Sequence, residues 1–230
     1  LDCSSCAIKS NSVTVNKADA YLFVCSSQPH RRTNFVRWLE FNLGVRAMTV
    51  TTAKWTLDDY HRMIEVGLLV GRNVELLNGE IIEMPPEGPE HAQQCTDAAD
   101  YLKELLPDLA IVRDAKPITL PETGSEPQPD LAIVQPLRTL YRTRHPYPEN
   151  IFWLIEFSQT TLAKDLEVKR KTYAAALIQE YWVVDLKNQQ LTVFRDPVDG
   201  DYRLEQTLTS GEICAIAFPH LPISIEQLIN

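Results

Sequence analysis

Residues 151–185 read IFWLIEFSQTTLAKDLEVKRKTYAAALIQEYWVVD. The run 151–157 is almost wholly apolar, which predicts a strand covered on both faces. A short polar turn follows. Residues 165–179 carry helical spacing, and residues 181–185 predict a second covered strand. Strand, helix, strand in this order point to a mixed sheet with helices on its faces.

Glu156 interrupts the apolar run near its end. An acid there is costly to bury unpaired, so it either reaches solvent or has a partner. Two-residue periodicity puts Glu156 and Ser158 on one side of the strand. Upstream, Pro129-Asp130 opens a strand over 129–134, with the proline at its first residue, where the missing N–H does little harm. If the two strands are neighbours, Asp130 and Glu156 can share one divalent cation. Hard carboxylate oxygens suit Mg²⁺ or Mn²⁺, and the backbone carbonyl of Phe157 is a candidate further ligand. Such an ion activates water and offsets charge building on a phosphate. Lys169 lies four residues after Asp165 and four before Tyr173, on one helix face, and could orient the attacking water. Each residue also has a plainer reading. Asp130 fits a Pro-Asp turn, and Lys169 fits the solvated charged run Lys169-Arg170-Lys171.

Outward from this stretch, residues 55–65 predict a helix with Thr56 as N-cap and Asp58 and Asp59 in the first turn. Residues 73–84 predict a hairpin around Asn78-Gly79. Residues 91–106 predict a helix ended by Pro107. Residues 109–113 and 116–120 predict strands, and 212–218 a late antiparallel strand after those at 191–195 and 202–208. A short helix closes 223–229. The long loop 136–150 holds Arg138, Arg142 and Arg144 with interleaved tyrosines, a pattern suited either to phosphate contact or to a solvated surface. Trp55, Trp153 and Trp182 have apolar neighbours and are expected in the core.

Composition sets outer limits. The chain has 230 residues, 44% of them hydrophobic, and a net charge of -9. Residues 1–47 hold six basic and three acidic side chains, leaving -12 on the remainder. An acidic body disfavours broad attraction to nucleic acid, so any such contact is local. No apolar run approaches the roughly 18 residues that span a bilayer. Residues 21–25 are too short for a secretory core. Cys3 and Cys6 form one CxxC without a second pair, as expected of free thiols in a reducing cytoplasm. Residues 1–47 lack sustained patterning, apart from a short strand or helix at 35–41. The domain is expected to occupy 48–230, with Met48 as the candidate true start and 1–47 as an extension.

Together, VELLNGEIIEM at 74–84, His91 at a helix start, PDLAIV at 129–134 and the stretch from Ile155 to Asp185 resemble the restriction-endonuclease-like family common in cyanobacteria. That family belongs to the PD-(D/E)XK nuclease superfamily, and the resemblance covers about residues 49–230. It implies an α/β (α+β) restriction-endonuclease-like core of αβββαβ type, with an N-terminal helix and hairpin and C-terminal antiparallel strands added. It also implies magnesium dependence, DNA as substrate and a homodimer. Asp130 matches the superfamily aspartate and Glu156 its second acid. Ser158 stands where the superfamily has lysine, and Lys169 on the following helix fills that role. Glu75 and His91 match recurrent polar positions and are candidate auxiliary residues, with Ser158, Asp165 and Tyr173. Two other readings stay open: a nuclease-fold interaction module without catalysis, and a metal-dependent hydrolase of small phosphate esters.

Overall fold

Glycine and asparagine at a hairpin tip shape the first part of the fold. The structure, a computed structural model, describes residues 51–230. The expectations for 21–25, for 35–41 and for Cys3 and Cys6 lie outside the described residues. Helix α1 (Leu57–Glu65) starts at Thr56, whose hydroxyl accepts from the Asp59 N–H while the Asp59 carboxylate accepts from the Thr56 N–H. Strands β1 (Val74–Leu77) and β2 (Glu80–Glu83) pair around Asn78 and Gly79. Both turn residues have positive φ, 52° and 74°, which the asparagine-glycine pair tolerates. A Cβ on Gly79 would meet the Cβ of Lys54 at 2.8 Å.

Helix α2 (Pro89–Leu105) begins two residues earlier than the sequence spacing predicts, because Pro89 fits a first helical turn. Its buried face carries Cys95, Ala98, Ala99 and Leu102. Strands β3 (Ile111–Asp114), β4 (Leu131–Val134) and β5 (Ile151–Ser158) follow. Next comes one helical segment in three parts: α3 (Leu162–Lys164), a π turn (Asp165–Lys169) and α4 (Arg170–Ala175). The chain then forms β6 (Glu180–Asp185), β7 (Gln190–Val198), β8 (Asp201–Leu208), β9 (Glu212–Ile213), β10 (Ile223–Ser224) and α5 (Glu226–Ile229).

Six strands make one mixed sheet in the order β3-β4-β5-β6-β7-β8. Every neighbouring pair is antiparallel except β5 and β6, joined in parallel through the helical segment. Alternation along β5 splits the core. Trp153, Ile155 and Phe157 pack toward Leu102 of α2, whereas Leu154 packs with Tyr173 and Ala174 of α4. Glu156 and Ser158 therefore face the helical segment, and the core α-β-β-β-α-β order is the expected one.

Five expectations are corrected. Residues 116–120 form no strand; Leu120 makes only an isolated bridge to Ser125. Pro117 lacks a donor, and the Ile118 and Thr119 amides bond the Pro127 and Pro146 carbonyls instead. Within 212–218 only β9 pairs. Beyond it, Arg195 takes the Cys214 carbonyl at 2.7 Å and Glu180 takes the Ile216 N–H at 2.6 Å, so side chains replace a ladder. Trp55 is 47% exposed, while Trp153 and Trp182 are fully buried. The predicted helix at 165–179 starts three residues earlier and ends at Ala175, where Leu177 takes a positive φ. The closing segment 223–229 is helical only in its last four residues.

Candidate active site

Asp130 and Glu156 line the same cavity of about 180 Å³, with His91, Asp165, Lys164 and Lys169. β4 and β5 are neighbours, so the two acids come from adjacent strands. The Phe157 N–H donates to Asp130 Oδ2 at 2.7 Å, which fixes the aspartate against β5. His91 Nε2 lies 3.3 Å from that same oxygen. The hydrogen bond to Asp130 raises the His91 pKa; burial opposes the rise, and the charges of Asp130 and Glu87 add to it.

Glu156 is 2% exposed. Its Oε1 accepts from the Tyr173 hydroxyl at 2.8 Å and forms an ion pair with Lys169 Nζ at 2.7 Å. Burial raises its pKa; Lys169 pulls it back, and Asp130 and Asp165 push it further, to about 8. Burial disfavours charge on Lys169, but the surrounding Glu156, Glu75, Asp165 and Asp130 outweigh it and hold the ammonium charged. Asp165 Oδ2 accepts from Ser158 and Thr161 hydroxyls, both at 2.7 Å. Its Oδ1 is 3.9 Å from Lys169.

The π turn is what aims these groups. Residues four apart on an ordinary α-helix drift around its axis. The wider turn counters that drift, so Asp165, Lys169 and Tyr173 all point inward and all are at most 5% exposed. The Arg170 N–H and the Tyr181 hydroxyl both donate to the Asp165 carbonyl and hold the turn open.

Glu75 reaches the same neighbourhood from β1. It is fully buried, accepts from Lys164 Nζ at 2.6 Å, and takes the Gln128 N–H at 3.2 Å. Burial works against its charge, yet Lys169 and Lys164 hold its carboxyl below the ordinary value. Four carboxylates (Glu75, Asp130, Glu156, Asp165) thus face two lysines (Lys164, Lys169). With all four carboxylates ionised the formal balance is -2, which one divalent cation would neutralise as it displaces the Glu156 proton. Both partners of Glu156 use Oε1, and both partners of Asp130 use Oδ2. Glu156 Oε2 and Asp130 Oδ1 have no hydrogen-bond partner among the described residues. Hard donors with unused oxygens on a shared cavity fit Mg²⁺ or Mn²⁺.

Glu180 is the control for this reading. It is as buried as Glu156, but Oε1 accepts from Arg195 and Trp182 Nε1 and Oε2 from the Ile216 N–H. Both oxygens are used, as expected of a purely structural acid.

The arginine loop is not brought to this cavity. Arg142 and Arg144 line a second cavity with His61, Glu126, His145 and Tyr147, and Arg138 is exposed. Arg144 lies over the Tyr147 ring at 4.0 Å.

The family described as "Putative restriction endonuclease", Uma2, matches residues 57–226. The chain belongs to the Uma2 family. The solved structure of "a putative nuclease belonging to DUF820" from Anabaena variabilis ATCC 29413 shares its fold, with a TM-score of 0.55 at 19% identity. That alignment covers 76% of this chain and 97% of the other. No curated protein matches the chain. The restriction-endonuclease-like fold expected from the sequence is therefore the observed one.

Lys164 is the site member that the sequence reading missed. It sits just before the predicted helix start, and its partner Glu75 is 89 residues away. The buried Glu126, bonded to His61 and Thr119, was missed too. Its loop carries no pattern that marks burial.

Proposed function

We propose that this Uma2-family chain is a divalent-metal-dependent endonuclease that hydrolyses DNA phosphodiester bonds. The observation that carries this reading is the unbalanced acid cluster, with one unused oxygen on each of Asp130 and Glu156. These two side chains would hold Mg²⁺ or Mn²⁺, with the Phe157 carbonyl as a further ligand. When bound, the ion would supply Lewis acidity toward a phosphate oxygen and acidify a water.

The chain's own residues divide the remaining work. Tyr173 fixes the Glu156 rotamer through Oε1. His91 and the Phe157 N–H orient Asp130. Lys169, held charged among four acids, would orient the attacking water and stabilise negative charge on the phosphate. Asp165, tied by Ser158 and Thr161, positions Lys169 from its other side. Glu75 and Lys164 form a neutral ion pair beside this group. Arg138, Arg142 and Arg144 would contact backbone phosphates away from the cut, which suits an acidic body that needs local cationic contacts. A homodimer acting in the cytoplasm, with a nuclease domain at 48–230, completes the proposal.

Incubating plasmid and single-stranded DNA with the purified protein and Mg²⁺ or Mn²⁺ tests it. Cleavage abolished by chelator and by Asp130→Ala is expected. Chelator-resistant cleavage, or equal cleavage by Asp130→Ala, would overturn it.

A further inference from the structure

A second set of ligands lies on the other side of Asp130. His91 and Cys95 are four residues apart on α2, so both side chains leave the same helix face. Cys95 Sγ is 3.7 Å from His91 Nδ1 and 3.9 Å from Nε2. His91 Nε2 is 3.3 Å from Asp130 Oδ2. Ligand atoms of all three residues fall within 4.8 Å of one another, a grouping found for no other His, Cys, Asp or Glu trio among the described residues.

These spacings can be compared with a tetrahedral zinc ion. Zn–S of about 2.3 Å and Zn–N or Zn–O of about 2.0 Å give tetrahedron edges of about 3.5 Å for S to N and about 3.3 Å for N to O. The N-to-O separation of 3.3 Å matches, and the S-to-N separations of 3.7 and 3.9 Å are longer than the ideal edge, so the thiol must turn toward one nitrogen to ligate. The chemistry of the set differs from that of the neighbouring pair. Thiol, imidazole and one carboxylate suit a borderline-soft ion, whereas Asp130 with Glu156 offers hard oxygens alone. Three protein ligands leave a fourth position for water, and His91 and Asp130 both line the cavity from which water would come.

We infer that His91, Cys95 and Asp130 form a Zn²⁺ site that shares Asp130 with the hard-cation pair. The thiol gives its proton to solvent as the Zn–S bond forms. Zinc at this site takes His91 away from orienting Asp130 and draws on the same carboxylate. The consequence, which rests on the nuclease reading, is inhibition of Mg²⁺-supported cleavage by Zn²⁺.

The test uses the full chain with Cys3, Cys6, Cys25 and Cys214 replaced by serine, so that Cys95 is the sole thiol. Zinc affinity is read by competition with a chromophoric chelator, and ligation by the thiolate-to-metal charge-transfer band on Co²⁺ loading. One ion per chain and a charge-transfer band are expected. Cys95→Ala and the near-isosteric Cys95→Ser, each checked for folding by circular dichroism, should remove the band. They should also weaken Zn²⁺ binding by more than about 100-fold, beyond the 10–100-fold that outer-shell groups are worth. A Cys95-only protein without the band, or unchanged Zn²⁺ affinity in both variants, would overturn the site. Cys95→Ala should also relieve zinc inhibition of cleavage. The titrations read binding without turnover, so a protein that cleaves no DNA would sink the nuclease reading and leave the zinc result standing.

Discussion

Replacing Lys169 with methionine keeps the length of the side chain and removes its charge from among four acids. In the native protein Lys169 is 2.7 Å from Glu156 and 3.9 Å from Asp165. Glu156 already holds its proton up to about 8, against an ordinary 4.5. The native state therefore binds that proton where the unfolded chain has shed it. Stability from this group is fully present below about 4.5 and is lost as pH rises to about 8. Without Lys169, the main influence pulling the Glu156 pKa down is gone, and the window of loss extends above 8. At pH 7 Glu156 stays neutral in both proteins, and the substitution should cost only about 1–2 kcal/mol, a typical single-site loss. Above pH 8 the cost should grow by about 1.4 kcal/mol per pH unit. It should level off near the roughly 3–5 kcal/mol of a broken buried pair. Urea unfolding of both proteins at pH 7, 8 and 9 measures the difference. A difference that does not change with pH would refute the coupling between Glu156 and Lys169.

Further outcomes follow from the same geometry. Because Glu156 is protonated at pH 7, Mg²⁺ binding there should release close to one proton; calorimetry in buffers of different ionisation enthalpy reads it, and Glu156→Gln should abolish the release. Arg195→Ala strips the fully buried Glu180 of its strongest partner and should cost about 3 kcal/mol. Cleavage per folded molecule should stay unchanged, since Glu180 is not at the cavity. Gly79→Ala places a Cβ 2.8 Å from Lys54 in a backbone of φ 74° and should cost about 1–2 kcal/mol by thermal or urea unfolding.

Much of the fold was legible because it rests on local pattern. The apolar runs of β5 and β6, the Asn78-Gly79 turn and the Thr56 cap each specify their own geometry within a few residues. The placement of Asp130 and Glu156 at neighbouring strands was legible because an acid in or beside an apolar strand stands out. What escaped depends on long-range pairing. Residues 116–120 have strand-like composition, but their amides go to remote loop carbonyls. The π turn leaves no mark in a sequence whose apolar positions still look helical, yet it decides where Lys169 points. Lys164 meets Glu75 across the fold, and no local spacing predicts that contact.

Anomalous diffraction from crystals grown with Mn²⁺ tests the central claim most directly. The expected result is one manganese peak roughly 2.0–2.2 Å from Asp130 Oδ1 and Glu156 Oε2, as for a hard octahedral ion, with Lys169 still beside Glu156. A fully occupied peak elsewhere, or none in crystals soaked at millimolar Mn²⁺, would contradict the assignment of these two acids as the metal-holding pair.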